Sequence, residues 1–295
     1  HLAMFDSFND GWTGGKVTIV NGALTTDLSL ATGSKDTASF DVQDGKPLIL
    51  SWTAGTFPTD VSFVLYNNFW EPVYTSAQPL LAGKLFEAPA VCGTCQKPQN
   101  AFVENVYDTR AKLRWQPGSL GNAAQSWLVI YGEKGFAPGA GDTVQVPTPK
   151  ATLTGLKKKT WYDAYIVQLC DAADSSSLVG PLSFQTYWSN DVGISAVVTP
   201  VSSCDIGYTT VTVRMSNYGA NPQSLIPFRY AVNGLDAGVN QPQDGFYTGV
   251  LGKDSSDVLE FDLQYDFSKP GEYEITAFTQ LPGDEDSTNN SITYY

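Results

Sequence analysis

Apolar residues recur at every second position along most of this chain. Ala111-Lys112-Leu113-Arg114-Trp115 alternates without a break, and so does Val211-Thr212-Val213-Arg214-Met215-Ser216. Residues 260–267 place Phe261, Leu263, Tyr265 and Phe267 on one face and Glu260, Asp262, Gln264 and Asp266 on the other; residues 272–277 repeat the pattern. A period of two belongs to a strand with one face on a core and one in water. No stretch combines a helical period with caps at both ends. Turn pairs such as Asn21-Gly22, Asp44-Gly45, Asn233-Gly234 and Pro270-Gly271 punctuate the alternation at short intervals, as connections between antiparallel strands require.

The pattern predicts an all-β protein of three consecutive immunoglobulin-like or jelly-roll-like β-sandwich domains. A small-residue junction at 88–95 and a break between two strands at 186–191 set the expected boundaries: a module over 1–90, a second over 91–187 and a third over 188–295, each the size of one sandwich. Composition agrees. Hydrophobic residues make up 42% and charged residues 16%, too apolar for a disordered chain.

Charge narrows the partners. The net charge is −13, and it is unevenly spread: 4 Lys/Arg against 9 Asp/Glu over 1–90, 9 against 7 over 91–187, and 4 against 14 over 188–295. Nucleic acid and anionic membrane surfaces need basic patches, so both are disfavoured. No apolar run approaches the ~20 residues of a membrane-spanning helix, which predicts no membrane insertion. The single histidine, His1, leaves no Ser-His-Asp or Cys-His arrangement and no H-E-x-x-H zinc site, and no phosphate-binding G-x-x-x-x-G-K-[ST] loop occurs. The chain therefore reads as non-catalytic.

Four cysteines are present: Cys92, Cys95, Cys170 and Cys204. Cys92-Gly93-Thr94-Cys95 has redox spacing but lacks a βαβ setting, and zinc would need a second close pair or a histidine. Structural disulfides fit best and imply an oxidising, extracellular compartment. Spacing leaves the partners of Cys92 and Cys204 open.

The middle module resembles a fibronectin type III domain. Trp115 in an early strand, Leu153-Thr154-Gly155-Leu156, Thr160-Trp161-Tyr162 and Gly180-Pro181-Leu182-Ser183-Phe184 carry the resemblance. It implies a core Trp115 and a corner Tyr162 whose hydroxyl ties a loop to backbone. Cys95-Gln96-Lys97-Pro98 and the run from Tyr162 to Cys170 resemble the version common in secreted Bacteroidetes proteins, which implies a Cys95–Cys170 bridge. Closing that loop of about 75 residues would stabilise by ~4 kcal/mol in the chain-entropy model. Lys157-Lys158-Lys159 reads as a solvated turn.

The third module resembles the cell-adhesion-related bacterial (CARDB) domain. The carriers are Asp191-Val192-Gly193-Ile194, Asn217-Tyr218-Gly219, Val232-Asn233-Gly234 and Asp284-Glu285-Asp286 with Asn289-Asn290. The resemblance implies a spacer or adhesive unit. Asp284-Glu285-Asp286 has carboxylates suited to calcium, but an exposed acidic turn accounts for it more simply.

The first module opens on Asp6-Ser7-Phe8-Asn9-Asp10-Gly11-Trp12, which resembles the D-x-[YF]-x-D-G-W segment of β-sandwich modules in secreted bacterial proteins. Asp6, Asn9 and Asp10 are candidate ligands for a structural calcium ion, the one cofactor the sequence suggests. Alternatively, the aspartates cap turns and Trp12 packs inside. Trp52, Phe69, Trp70 and Tyr74 could build a sugar-stacking platform, with Trp70 and Trp52 as the candidate rings; core packing is the competing account. The expected function is adhesion, ligand binding or spacing outside the cell, by a monomer with an extracellular protein or glycan as partner. The alternative is a carbohydrate-binding accessory region of a larger secreted enzyme, and behind it a glycosidase.

Overall fold

The computed structural model describes residues 1–204, 206–236 and 246–295. Among them it contains 23 strands and one helical segment, a single 3-10 turn at Pro138–Ala140. The first eight strands are β1 (Leu2–Asp6), β2 (Lys16–Asn21), β3 (Leu24–Leu28), β4 (Lys35–Ala38), β5 (Pro47–Thr53), β6 (Val61–Tyr66), β7 (Pro72–Thr75) and β8 (Gly83–Pro89). They form two four-stranded sheets, in the orders β4-β1-β6-β7 and β3-β2-β5-β8. The alternation explains the packing. Leu48, Leu50 and Trp52 of β5, Val61, Phe63 and Leu65 of β6, and Val17 and Ile19 of β2 all turn inward and are buried. The residues between them reach the other face.

The next seven strands are β9 (Gln99–Val106), β10 (Arg110–Gln116), β11 (Ser126–Glu133), β12 (Asp142–Val146), β13 (Lys150–Thr154), β14 (Trp161–Leu169) and β15 (Val179–Gln185). Their sheets run β13-β10-β9 and β12-β11-β14-β15. This is the seven-stranded, two-sheet arrangement that the fibronectin type III resemblance implies. Trp115 is buried, and the Tyr162 hydroxyl accepts the Lys157 amide hydrogen at 2.9 Å, the tie expected of a corner tyrosine.

The remaining strands are β16 (Val192–Thr199), β17 (Tyr208–Asn217), β18 (Ile226–Val232), β19 (Leu235–Asp236), β20 (Phe246–Tyr247), β21 (Ser256–Asp266), β22 (Ile275–Thr279) and β23 (Ser291–Tyr294). One sheet runs β16-β17-β21 and the other β19-β18-β22-β23, with β20 also pairing β18. Val192, Val211, Val213, Met215, Tyr230 and Phe261 lie in their core. The alternation predicted for 260–267 is broken here. The β17–β21 register jumps between Thr210↔Gln264 and Thr212↔Glu260, and the bulge turns Leu263 outward while Phe261 and Phe267 stay buried.

Among the described residues no sheet combines strands from both sides of residue 90 or of residue 187. By contact density the chain separates into two compact units, 1–99 with 117–127 and 167–178, and 100–116 with 128–166 and 179–295. Segments of the middle sandwich thus belong to each unit.

Candidate ligand cavity and predicted site residues

In the first unit the turn after β6 is organised by one side chain. Asn67 Oδ1 accepts the amide hydrogens of Phe69 at 2.9 Å and Glu71 at 3.0 Å, and Asn67 Nδ2 donates to Glu71 Oε2 at 3.1 Å. The tight turn forces Trp70 to a φ of 61°, an uncommon conformation for a bulky residue. Consecutive side chains then part. Phe69 is buried, and a Cβ placed on Gly93 would lie 2.7 Å from its ring. Trp70 points outward, with 52% of its surface exposed.

Beside this turn lies a cavity of about 400 Å³. Phe40, Val42, Leu48, Leu65 and Phe86 contribute apolar wall. At its edge Lys97 Nζ stands 3.4 Å from Glu71 Oε1. Apolar walls with a few convergent polar groups are the usual make-up of a small-ligand site.

The proposed sugar-stacking rings have different fates. Trp70 keeps its exposure, but His1 stacks on it at 4.0 Å with the planes 4° apart, and Tyr66 lies 6.0 Å away. Trp52 must be corrected. It is 2% exposed and meets Trp12 edge-on at 5.4 Å, so it has no free face for a pyranose. The reason is parity: Trp52 lies two residues from Leu50 and shares its inward face. Phe69 is buried too, and Tyr74 packs against Phe63 and Phe86.

The Asp6 loop is a self-capped turn. Asp6 is 5% exposed, and its Oδ1 accepts the amide hydrogens of Phe8 at 3.0 Å and Asp10 at 3.3 Å. Asn9 and Gly11 take positive φ. At Gly11 a Cβ would sit 2.6 Å from Leu30 O, so only glycine fits. Trp12 is fully buried and donates from Nε1 to Phe5 O at 3.0 Å. Asn9 and Asp10 are exposed.

Cys95 and Cys170 form a disulfide with a Cα–Cα distance of 5.8 Å, while Cys92 and Cys204 are free and exposed. Among the described residues one trio of His, Cys, Asp or Glu brings its ligand atoms within 4.8 Å of one another, namely Cys95, Cys170 and Asp174. The disulfide consumes both sulfurs, so no thiolate remains there for a metal. Sequence reasoning missed two glutamines beside this bridge. Gln168 is fully buried and its Oε1 accepts from Gly118 N at 2.8 Å and Trp127 Nε1 at 3.3 Å; Gln96 Oε1 accepts from Ser119 N and Leu120 N. Both fasten loops, and no local pattern marks a glutamine for that role.

In the second unit the acidic stretch 284–286 is half-buried rather than an exposed turn. Asp284 accepts the amide hydrogens of Val192 and Asp286, each at 2.9 Å. Glu285 accepts from Ser189 N at 2.6 Å and pairs with Lys158 at 2.6 Å; Lys157 pairs with Glu133 at 2.6 Å, so two lysines of the 157–159 run are engaged in ion pairs. Burial opposes ionisation of Glu285, yet the Lys158 bond and the Asn190 and Ser189 amides hold it below the usual glutamate range. Asp191 is 1% exposed. Its Oδ1 accepts from Asn289 Nδ2 at 2.7 Å, while its Oδ2 is buried without a hydrogen-bond partner. Burial pushes Asp191 above the usual aspartate range, and Asp284 likewise.

No protein-family model and no curated protein matches the chain. Among solved structures it is similar to the fn3 domain of the human collagen alpha-1(XX) chain, 22% identical over 39% of this chain and 97% of that one, with a TM-score of 0.28. It is also similar to the FN5 domain of Drosophila Lar, 19% identical over 30% and 94% with a TM-score of 0.25. A computer-redesigned β-sandwich protein is 31% identical over 31% and 90%, with a TM-score of 0.25.

Proposed function

We propose that this chain is a non-catalytic extracellular protein of three β-sandwich domains, 1–90, 91–187 and 188–295, which bind a ligand and space it from neighbouring structures. The observation that carries the reading is the cavity beside the Asn67 turn. Its volume of about 400 Å³ lies within the range of small-ligand sites. Apolar walls and the Glu71–Lys97 pair at the edge favour a ligand with an apolar body and one polar end. The Cys95–Cys170 disulfide supports an oxidising compartment, and the acidic balance disfavours nucleic acid. Among the described residues no helix is long and apolar enough to cross a membrane.

The test uses an amphiphilic naphthalene-sulfonate dye as probe. Saturable fluorescence enhancement is expected with the wild-type chain. Ala88 of β8 also lines the cavity, and Ala88→Phe, which narrows it, is expected to remove the enhancement. Enhancement that survives Ala88→Phe would reject the cavity as the site.

A second reading is glycan binding at Trp70, favoured by the exposure of that ring in a turn that fixes its direction. On a glycan array it requires binding that Trp70→Ala abolishes and Ala88→Phe leaves intact. Sugar release from mixed polysaccharides would instead support a glycosidase and overturn the non-catalytic reading.

A further inference from the structure

We propose that the outer face of the sheet β13-β10-β9 binds an acidic polysaccharide. Strand alternation on β10 builds the face. Ala111, Leu113 and Trp115 are buried, so Arg110, Lys112, Arg114 and Gln116 share the opposite side. On β13, Lys150 stands directly opposite Arg114, and Thr152 opposite Lys112. Four cations thus gather on two neighbouring strands of a chain whose net charge is −13. Glu104 of β9 meets Arg114 Nε at 2.5 Å. Among the described residues Arg110, Lys112 and Lys150 have no ion-pair partner. The Arg110 guanidinium lies 4.3 Å over the Tyr107 ring, which holds the side chain in place without neutralising it. Elsewhere in the middle module Lys97, Lys157 and Lys158 each meet a carboxylate.

A second observation points to an anionic ligand. Like charges directly opposite each other on paired strands are destabilising, and the Arg114–Lys150 pair carries that cost in the free chain. An anion laid across the two strands relieves it. The neighbouring groups say which kind. Phe102, 51% exposed, lies on β9 between Asn100 and Glu104, whose side chains reach Gln116 and Arg114 of β10. An exposed ring offers an apolar surface to the C–H face of a sugar. Asn100 Nδ2 donates to Gln116 Oε1 at 2.8 Å, which leaves Asn100 Oδ1 and Gln116 Nε2 for hydroxyl groups, as is the exposed Thr152 hydroxyl. From Arg110 to Arg114 the strip runs about 13 Å along the strand. Cations interleaved with amides, a hydroxyl and a ring suit a chain of sugars that carries acidic groups at intervals. The acidic remainder of the protein repels a densely charged nucleic acid, and an acidic peptide would leave the ring and amides unused.

The experiment is calorimetric titration of the full chain with dextran sulfate, and with neutral dextran of the same length, over a series of NaCl concentrations. Saturable binding of the sulfated chain alone is expected. Its log affinity should fall linearly with log salt at a slope of about −3, as the release of counterions by these cations requires. Lys112→Ala and Lys150→Ala should each weaken binding roughly threefold or more at low salt and flatten the slope by about one. Phe102→Ala should weaken binding and leave the slope as it is. Lys159→Ala, a cation outside the face, should change neither. Lys150→Ala also removes the like-charge opposition, so its Tm without ligand should equal or exceed that of wild type, which separates lost binding from lost folding. Failure to bind dextran sulfate, equal binding of neutral dextran, or a loss in Lys159→Ala as large as in Lys150→Ala would overturn the site. Oligothymidylate or polyglutamate bound as tightly as dextran sulfate would assign the face to nucleic acid or to acidic peptides and overturn the polysaccharide.

Discussion

Asp163 and Asp191 are both buried carboxylates of the second unit, and they sit in opposite circumstances. Asp163 Oδ1 accepts from Ser183 Oγ at 2.5 Å and its Oδ2 from Gly135 N at 2.9 Å. The Ser183 hydroxyl, aided by the Gly135 amide, holds Asp163 below the usual aspartate range. Asp191 has a donor on one oxygen and none on the other, and burial drives it the opposite way. Asp6 of the first unit, like Asp163, is met by the protein's own donors: two backbone amides donate to its Oδ1. The lesson is that burial alone does not set a carboxylate's ionisation. The donors that the fold aims at its two oxygens decide it.

The strongest way to break this comparison is through the loop that Asp6 caps. Trp12→Ala empties a fully buried site packed by Trp52 and Phe63, and should cost about 4 kcal/mol in urea unfolding. A cost near zero would mean that the Asp6 loop is not organised around this ring. Asp163→Ala comes next, at about 2 kcal/mol near pH 7, since hydrogen bonds to a charged group are lost. A depressed folded-state pKa gives stability that is present above the unfolded value near 3.9 and disappears as pH falls through the folded value. The difference between Asp163→Ala and wild type should therefore shrink in melts taken below about pH 4. A difference that grows there would reverse the assignment.

Asp6→Ala should cost about 1 kcal/mol, the usual loss for a side-chain cap, and the cost should be the same in calcium and in EDTA. A cost that appears only in calcium would restore Asp6, Asn9 and Asp10 as ion ligands. The smallest effect is expected from Asp191→Asn in EDTA. Removing an unmatched charge should leave urea stability within about 1 kcal/mol of wild type or raise it. A loss of several kcal/mol in EDTA would show that both Asp191 oxygens are already satisfied in the fold.

Much of the fold was legible because strand alternation is local. Leu48-Ile49-Leu50-Ser51-Trp52 and Ala111-Lys112-Leu113-Arg114-Trp115 each carry their burial pattern in their own sequence. Tyr162 was legible through resemblance, and so was the Cys95–Cys170 pair. Period alone does not say which face of a strand is inside, so Trp52 was open to misplacement until its neighbours on β2 and β8 were known. Leu263 defeated the pattern because a bulge depends on the register of the partner strand. Asp191 was the least legible. Its Oδ1 partner, Asn289, is 98 residues away in sequence, and no local pattern reveals that its other oxygen lacks one.

The contrast between Asp163 and Asp191 can be read directly from carboxyl-carbon NMR resonances followed through a pH titration of the full chain. Asp163 should titrate below the usual aspartate range and Asp191 above it. The reverse order would contradict the account.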